Sequence, residues 1–346
     1  MKDNKNNSIL LSHGDGGVKT GRLISEIIGP ALKNNILDRL EDSAIIPCRG
    51  AKAAFTTDSF VVSPLFFPGG DIGKLCVCGT INDLVTSGCR PAALSLSFII
   101  EEGLDINVFK KVLESIKNTL EEAGEGIKIV TGDTKVVEKG NADKLFINTS
   151  GIGFIEDGPG ISPSNIKEGD NIIINGNIAD HGICILNCRQ EFGFKADIKS
   201  DCAPLNSLVK DIKDAAGSGL HALRDATRGG LARVLIELSG SSKMNFDIYQ
   251  DKIPIQRQTR GICEFLGMDP LYIANEGKMV VFAEEKNSIR ILDAMKKNRY
   301  GKHSAIIGRV KGIKDKNRNA SVTLITELGT KRVLDLHYSE QLPRIC

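Results

Sequence analysis

Apolar and polar residues alternate with a period of two through AAFTTDSFVV (53–62) and LSLSFIIEE (94–102), the pattern of half-buried strands. From 108 to 123 the period changes: Val108, Val112, Ile116 and Leu120 recur every fourth position, which predicts an amphipathic helix. KIVTGD (128–133) and LFINTSGIGFI (145–155) read as further strands. EDGPGISPSN (156–165) then crowds glycine, proline and serine between apolar stretches, the strongest break in the chain. Beyond it the alternation resumes, with a strand at DNIIING (170–176), a helix from Ala179, a helix around Leu205 to Ala215, and further strands and helices to about Ile325. The expected fold class is α+β in two domains, 1–157 and 158–336, followed by a mobile tail, 337–346, with no short-period repeat.

Composition narrows the function classes. The 346 residues are 41% hydrophobic and 25% charged, with 45 Lys and Arg against 43 Asp and Glu, so no basic stripe or aromatic platform points to nucleic acid. No run of eighteen apolar residues and no secretory leader pattern occurs, which predicts a cytoplasmic protein without membrane association. The nine cysteines are odd in number, scattered and set in apolar surroundings, as expected of reduced core thiols rather than a disulfide framework or a zinc site. One stands apart: Cys346 is the last residue of the polar terminus HYSEQLPRIC.

Candidate chemistry gathers where strands or glycine turns hand over to helices, the junctions that expose backbone N–H groups to anions. SHGDGGVKTGRLI (12–24) offers Gly14, Gly16 and Gly17 with Lys19 and Arg22 nearby. Asp58 interrupts an apolar strand, Asp71 follows a Pro-Gly-Gly turn, and Asn82 and Asp83 interrupt an apolar helical pattern. TGDTKVV (131–137) places Asp133, Thr134 and Lys135 directly after a strand, and HALRDATRGGLARVL (221–235) places Asp225 and Arg228 before Gly229 and Gly230. Each acid alone reads as a cap or a turn residue. Together they suggest oxygen ligands for Mg²⁺ with backbone and cationic partners for a polyphosphate. Neither the Walker A loop, the protein-kinase signatures nor a strand-linked GxGxxG is found, so any ATP would be bound on a different fold.

HGDGG, DSFVVSPLFFPGGDIGKL, GTINDLVTSGCRP, TGDTKVV, DATRGGLA, NEGKMV and the terminal PRIC, in that order from residue 13 to 346, resemble the hydrogenase maturation factor HypE family. This family lies in the superfamily of aminoimidazole ribonucleotide synthetase, selenophosphate synthetase and thiamine monophosphate kinase. Ala226 departs from the proline expected before TRGG, and Cys89 is a second small departure. The resemblance implies that Cys346 receives a carbamoyl group and that ATP drives dehydration of the S-carboxamide to a thiocyanate, the source of cyanide for the iron of [NiFe]-hydrogenase. It assigns Asp58, Asp83 and Asp225 to Mg²⁺. Lys135 and the backbone of Gly14, Gly16 and Gly17 it assigns to phosphate, with Asn82, Asp133, Thr134, Arg228, Gly229 and Gly230 completing the ATP site. It implies loading by the carbamoyltransferase HypF, delivery to a HypC–HypD complex, and a homodimer joined through the N-terminal sheets.

The physical logic agrees. A thiolate is the most nucleophilic ordinary side chain near neutral pH, and ten extended residues reach about 33–36 Å, enough to enter a cleft from a domain surface. Glu276, set in the apolar run YIANEGKMV, is the best candidate for a base, with His13 and His221 as alternatives. Two other readings stay open: a superfamily enzyme that makes selenophosphate or phosphorylates a small substrate, and a carrier whose tail only shuttles a group. Terminal prenylation does not fit, because Pro343 stands where the modified cysteine would.

Overall fold

The computed structural model describes residues 9–14, 17–48, 51–124, 126–155, 160–189, 196–313, 319–336, 342 and 344–346. The first half carries helices α1 (Val18–Arg22), α2 (Gly29–Leu32), α3 (Ile72–Thr86) and α4 (Ile106–Ala123). Its strands are β1 (Ala44–Cys48), β2 (Ala51–Phe60), the short β3 (Phe66–Phe67) and β4 (Gly70–Asp71), β5 (Arg90–Glu101), β6 (Lys128–Val137) and β7 (Leu145–Ile155). Five of these form one sheet in the order β1-β2-β7-β5-β6, antiparallel except where β6 runs parallel to β5.

Strand alternation gives this sheet two unlike faces. Leu145, Ile147 and Thr149 of β7 and Leu94, Leu96 and Phe98 of β5 are buried, whereas Phe55, Ile99, Ile152 and Phe154 on the opposite side stay exposed. The buried face is covered by α3 and α4. Helix α4 is amphipathic as its sequence requires, with Val112, Ile116 and Ala123 buried, Asp105 capping the Asn107 N–H at 2.7 Å and Gly124 ending it at φ 67°. Helix α3 differs: it is buried on nearly every side, because the sheet lies against one side and the second domain against the other. Asp71 is its cap, accepting from Gly73 and Lys74 N–H at 2.7 and 3.1 Å.

The second half contributes β8 (Asn171–Ile174), α5 (Asp180–Cys188), α6 (Asn206–Ala216), β9 (Leu220–Asp225), α7 (Gly230–Ser242) and β10 (Asn245–Tyr249). It continues with α8 (Arg257–Leu266), β11 (Met279–Ala283), α9 (Glu285–Lys297), β12 (Ala305–Lys311), β13 (Val322–Ile325) and β14 (Lys331–Leu334). Its seven-stranded sheet runs β14-β13-β10-β12-β8-β11-β9. One apolar cluster extends from α3 through α5 and α6 to the chain end, so the domains share a core. Asn82 of α3 joins them directly: its amide donates to the carbonyls of Ala203 (3.1 Å) and Glu276 (3.4 Å) and accepts from Leu205 N–H at 2.8 Å.

The α+β, two-domain expectation matches this architecture. The expected boundary at 157–158 lies outside the described residues. TGDTKVV, read as a junction after a strand, is instead part of β6 itself, because pairing with β5 continues as far as Val137.

Candidate active site

Three of the expected acids converge at the cleft between the domains. Asp58 sits on the α3-facing side of β2, Asp83 projects from α3, and Asp225 ends β9. Asp83 is tied to the sheet by Thr56, whose hydroxyl donates to its Oδ2 at 2.8 Å. Burial raises the pKa of Asp83 well above the usual carboxylate range, and the charges of Asp225, Asp58 and Asp42 push in the same direction. Asp225 is likewise raised well above its ordinary value by burial and Asp42, with Arg224 opposing. Asp58 is raised by burial against the pull of Arg228. Carboxylates that raise one another in a cleft form a field waiting for positive charge. As they stand, no three His, Cys, Asp or Glu side chains among the described residues converge closely enough to enclose a metal ion.

The fourth acid, Asp42, was not singled out in the sequence. It precedes β1, pairs with Arg224 and is pushed up to about 6, mainly by burial. Only the folded chain puts it beside Asp83 and Asp225, and its local sequence, LEDSA, reads as an ordinary turn.

The glycine islands lie at the same cleft. Arg228 Nη1 donates to the Gly14 carbonyl at 3.3 Å, which sets the N-terminal segment beside Asp58; Gly17 precedes α1, and Gly16 is outside the described residues. Gly229 and Gly230 have φ 75° and 64°, and a Cβ on Gly230 would come within 2.6 Å of the Leu271 and Ile273 carbonyls, so glycine lets α7 begin hard against that loop.

Glu276 enters from the second domain. It is 3% exposed, and its Oε1 has no hydrogen-bond partner among the described residues. Burial raises it well above a normal glutamate, reinforced by Cys202, Asp58, Asp201 and Asp225. Asp201 fixes the Glu276 backbone and forms a buried ion pair with Lys278 at 2.8 Å. Gly277 leaves no room for a Cβ against the Asp201 carbonyl, which accounts for glycine after Glu276.

The chain terminus is also held against the folded domains. Of the segment expected to be mobile, Leu342 and Ile345 are buried and Cys346 half-buried. Val61 N–H donates to the Cys346 carbonyl at 2.9 Å and Ser63 N–H to that of Arg344 at 3.3 Å, so the terminus lies antiparallel to residues 61–63. His181 contacts the Ile345 carbonyl and also Ser200, whose neighbour Asp201 holds Glu276. The segment Ser200–Cys202 therefore bonds the acid's backbone directly and reaches the tail through His181.

Other expected residues lie elsewhere. Asp133 and Lys135 form an exposed ion pair at 2.7 Å on the open face of the sheet, across from Ser97 and Ile99, and Thr134 between them points to the other side. They are not joined to Asp58, Asp83 and Asp225 within one chain. Asn82 is held by the inter-domain bonds described above, leaving its amide engaged by protein. His221 pairs with Asp170 at 2.7 Å on the second sheet, and His13 caps its own turn by accepting from Leu10 N–H at 2.9 Å.

Comparison with known proteins settles the family. Residues 40–155 match the AIR synthase related protein N-terminal domain, and 167–317 its C-terminal domain. The chain is 43% identical over 344 residues to carbamoyl dehydratase HypE of Azotobacter vinelandii, covering 99% of each protein. It belongs to the HypE family. A crystal structure of HypE in complex with ATP is 44% identical, with a TM-score of 0.81 over 98% of this chain and all of that one. HypE in a HypE–HypF complex superposes with a TM-score of 0.85 at 45% identity, over 91% of this chain and 99% of that one. Among the described residues no helix is long and apolar enough to cross a membrane.

Proposed function

We propose that this chain is an ATP-dependent carbamoyl dehydratase whose substrate is the S-carbamoyl group on its own Cys346. The observation that carries the reading is the seating of the terminal residues on Val61, Ser63 and His181, with His181 bonded to Ser200 of the segment whose Asp201 holds Glu276. A relative of the same length binds ATP.

The carboxamide oxygen is a poor leaving group until phosphorylated. Attack of that oxygen on the γ-phosphorus of ATP forms an O-phosphorylated imidate and ADP. Loss of the remaining nitrogen proton and of phosphate then yields the S–C≡N group. Two N–H protons leave and the oxygen departs in phosphate, so one ATP balances the dehydration. Glu276 is the base for those protons: its free Oε1 is buried beside the tail-binding segment, and desolvation makes its carboxylate more basic than usual. Arg228 and the backbone at Gly14, Gly17, Gly229 and Gly230 border the space for the triphosphate.

Hard carboxylate oxygens that repel one another suit a divalent cation, and Asp58, Asp83 and Asp225, with Asp42 behind them, would hold Mg²⁺, which would supply positive charge to offset the phosphates. The exposed apolar face bearing Phe55, Ile99, Ile152 and Phe154 supports a homodimer through the first-domain sheets. Lys135 belongs to that face, so it would serve phosphate across the dimer. Loading by a carbamoyltransferase of the HypF kind follows from the HypE–HypF complex of a relative. Delivery to a HypC–HypD complex, toward hydrogenase iron, remains part of the proposal through the family resemblance.

Intact mass tests the reading. The terminal peptide should gain about 43 Da on carbamoylation and lose about 18 Da when Mg-ATP is added, by atomic arithmetic for a thiol-bound group. Increments on any internal cysteine, or unchanged phosphate release after deletion of Cys346, would point to a superfamily enzyme of another kind.

A further inference from the structure

The last three residues are held by their carbonyl groups. Arg344 C=O accepts from Ser63 N–H at 3.3 Å and from Arg189 Nη2 at 2.8 Å. Ile345 C=O accepts from His181 Nε2 at 2.7 Å, and Cys346 C=O from Val61 N–H at 2.9 Å. Arg189 also anchors the receiving segment, since its Nε donates to Ser63 C=O at 3.0 Å.

The donor pattern fixes the state of the histidine. A carbonyl can only accept, so Nε2 of His181 carries hydrogen, and in the neutral ring that burial favours Nδ1 accepts from the Ser200 hydroxyl at 2.8 Å. Ser200 Oγ in turn accepts from Cys202 N–H at 3.1 Å. His181 is fully buried, with its ring edge-on to Phe67, so it has little freedom to aim elsewhere. An imidazole with one N–H, held from behind, recognises one carbonyl at one height in the cleft.

We infer that His181 and Arg189 are positioning residues that set the register of the tail, so that the Cys346 sulfur stops at the reaction point. Main-chain oxygens recur at every residue, so it is the fixed placing of these donors, with the Ile345 side chain buried between them, that decides which residue meets each. A slip of one residue would move the thiol by about 3.3 Å, far more than near-attack geometry tolerates. The reacting role of Cys346 is the reading given above, but the seating of the thiol can be measured without it.

The test uses the full-length chain with His181→Ala, His181→Gln, Arg189→Ala and Arg189→Lys. Alkylation of Cys346 by iodoacetamide, resolved by peptide mass, reads the seating directly; exposed Cys48 is the internal control. His181→Ala and Arg189→Ala should speed Cys346 alkylation on the order of tenfold and leave Cys48 unchanged, and His181→Gln, which keeps a donor, should recover part of the protection. In single turnovers of the carbamoyl-loaded chain, the alanine variants should slow conversion on the order of tenfold or more while ATP affinity stays that of wild type. Unchanged Cys346 alkylation in folded variants at both positions overturns the register device. Faster alkylation with undiminished conversion overturns its part in the reaction. Should His181→Ala fail to fold, Arg189→Lys, which keeps charge but loses the planar two-way donor, decides by the same criteria. Wild-type protection of Cys346 without any conversion would defeat the dehydratase reading and leave the alkylation result to decide the register.

Discussion

Asp201 holds Glu276 from behind: its carboxylate accepts the backbone N–H of Glu276 at 3.1 Å and of Gly277 at 3.3 Å while its Oδ2 grips Lys278 at 2.8 Å. One acid is thus fully satisfied so that the next can remain unsatisfied. Burial alone would raise the Asp201 pKa, but Lys278, His181 and the backbone donor outweigh it and leave it lowered.

Asp201→Asn should therefore destabilise the fold by about 3–5 kcal/mol, the cost of leaving a buried ammonium without its partner. Because the folded pKa lies below the unfolded value, the contribution of Asp201 is complete above the unfolded pKa, about 3.9, and disappears as pH falls through the folded one. Urea titrations at pH 7 and pH 3 should show a large wild-type advantage at the first and a smaller one at the second.

Glu276→Gln should behave oppositely. With its folded pKa raised, ionised Glu276 weakens the fold increasingly as pH rises from the unfolded value toward the folded one. The glutamine variant should be as stable as wild type in acid and equal or more stable at pH 8. It should bind ATP nearly normally yet leave a loaded tail carbamoylated; full conversion by this variant would remove Glu276 from the mechanism.

For Asp83→Asn, calorimetry should show loss of most Mg-ATP binding with the fold retained. Removing one of several repelling carboxylates should also raise or preserve the melting temperature of the ligand-free chain, with the gain growing from pH 4 to pH 8. Unchanged nucleotide affinity would argue against a cation bridge at Asp83.

The parts of this site visible in the sequence are those that break a local pattern. Asp58 in a strand, Asp83 in an apolar helix and Glu276 in an apolar run each violate periodicity, and each lies in the cleft. Strand and helix placement followed in the same way, as with Val112 and Ile116 on the buried side of α4. Residues whose part depends on distant partners left no such mark. Asp42 acquires meaning only from Arg224, His181 only from Ile345, and Asp201 only from Lys278. Lys135 shows the converse: its motif was legible, but strand alternation decides which face it occupies, and TGDTKVV does not reveal where the strand ends.

Cys346→Ser should fold and bind ATP normally but accept no carbamoyl group, since a hydroxyl is essentially un-ionised near pH 7. Adding one alanine after Cys346 keeps the thiol yet moves the terminal carboxylate, and should impair dehydration more than loading. Intact mass at each stage separates the two steps.

Phe154→Glu places a charge on the open sheet face, where Phe154 is 47% exposed. Sedimentation should show a shift from dimer to monomer, with the melting temperature of the single chain little changed. A monomeric wild type would refute the dimer.

On the proposed function, pairing of residues 344–346 with 61–63 also means that the site would meet its substrate on a leash. A short covalent connection presents its end at an effective concentration in the millimolar range, whatever the dilution of the protein. Turnover should then saturate only in nucleotide, and a free peptide copying the last ten residues would need to approach millimolar levels to compete. A loading enzyme must win the same contest against the leash, so occupancy of the cleft sets the affinity at which any partner can capture the terminus.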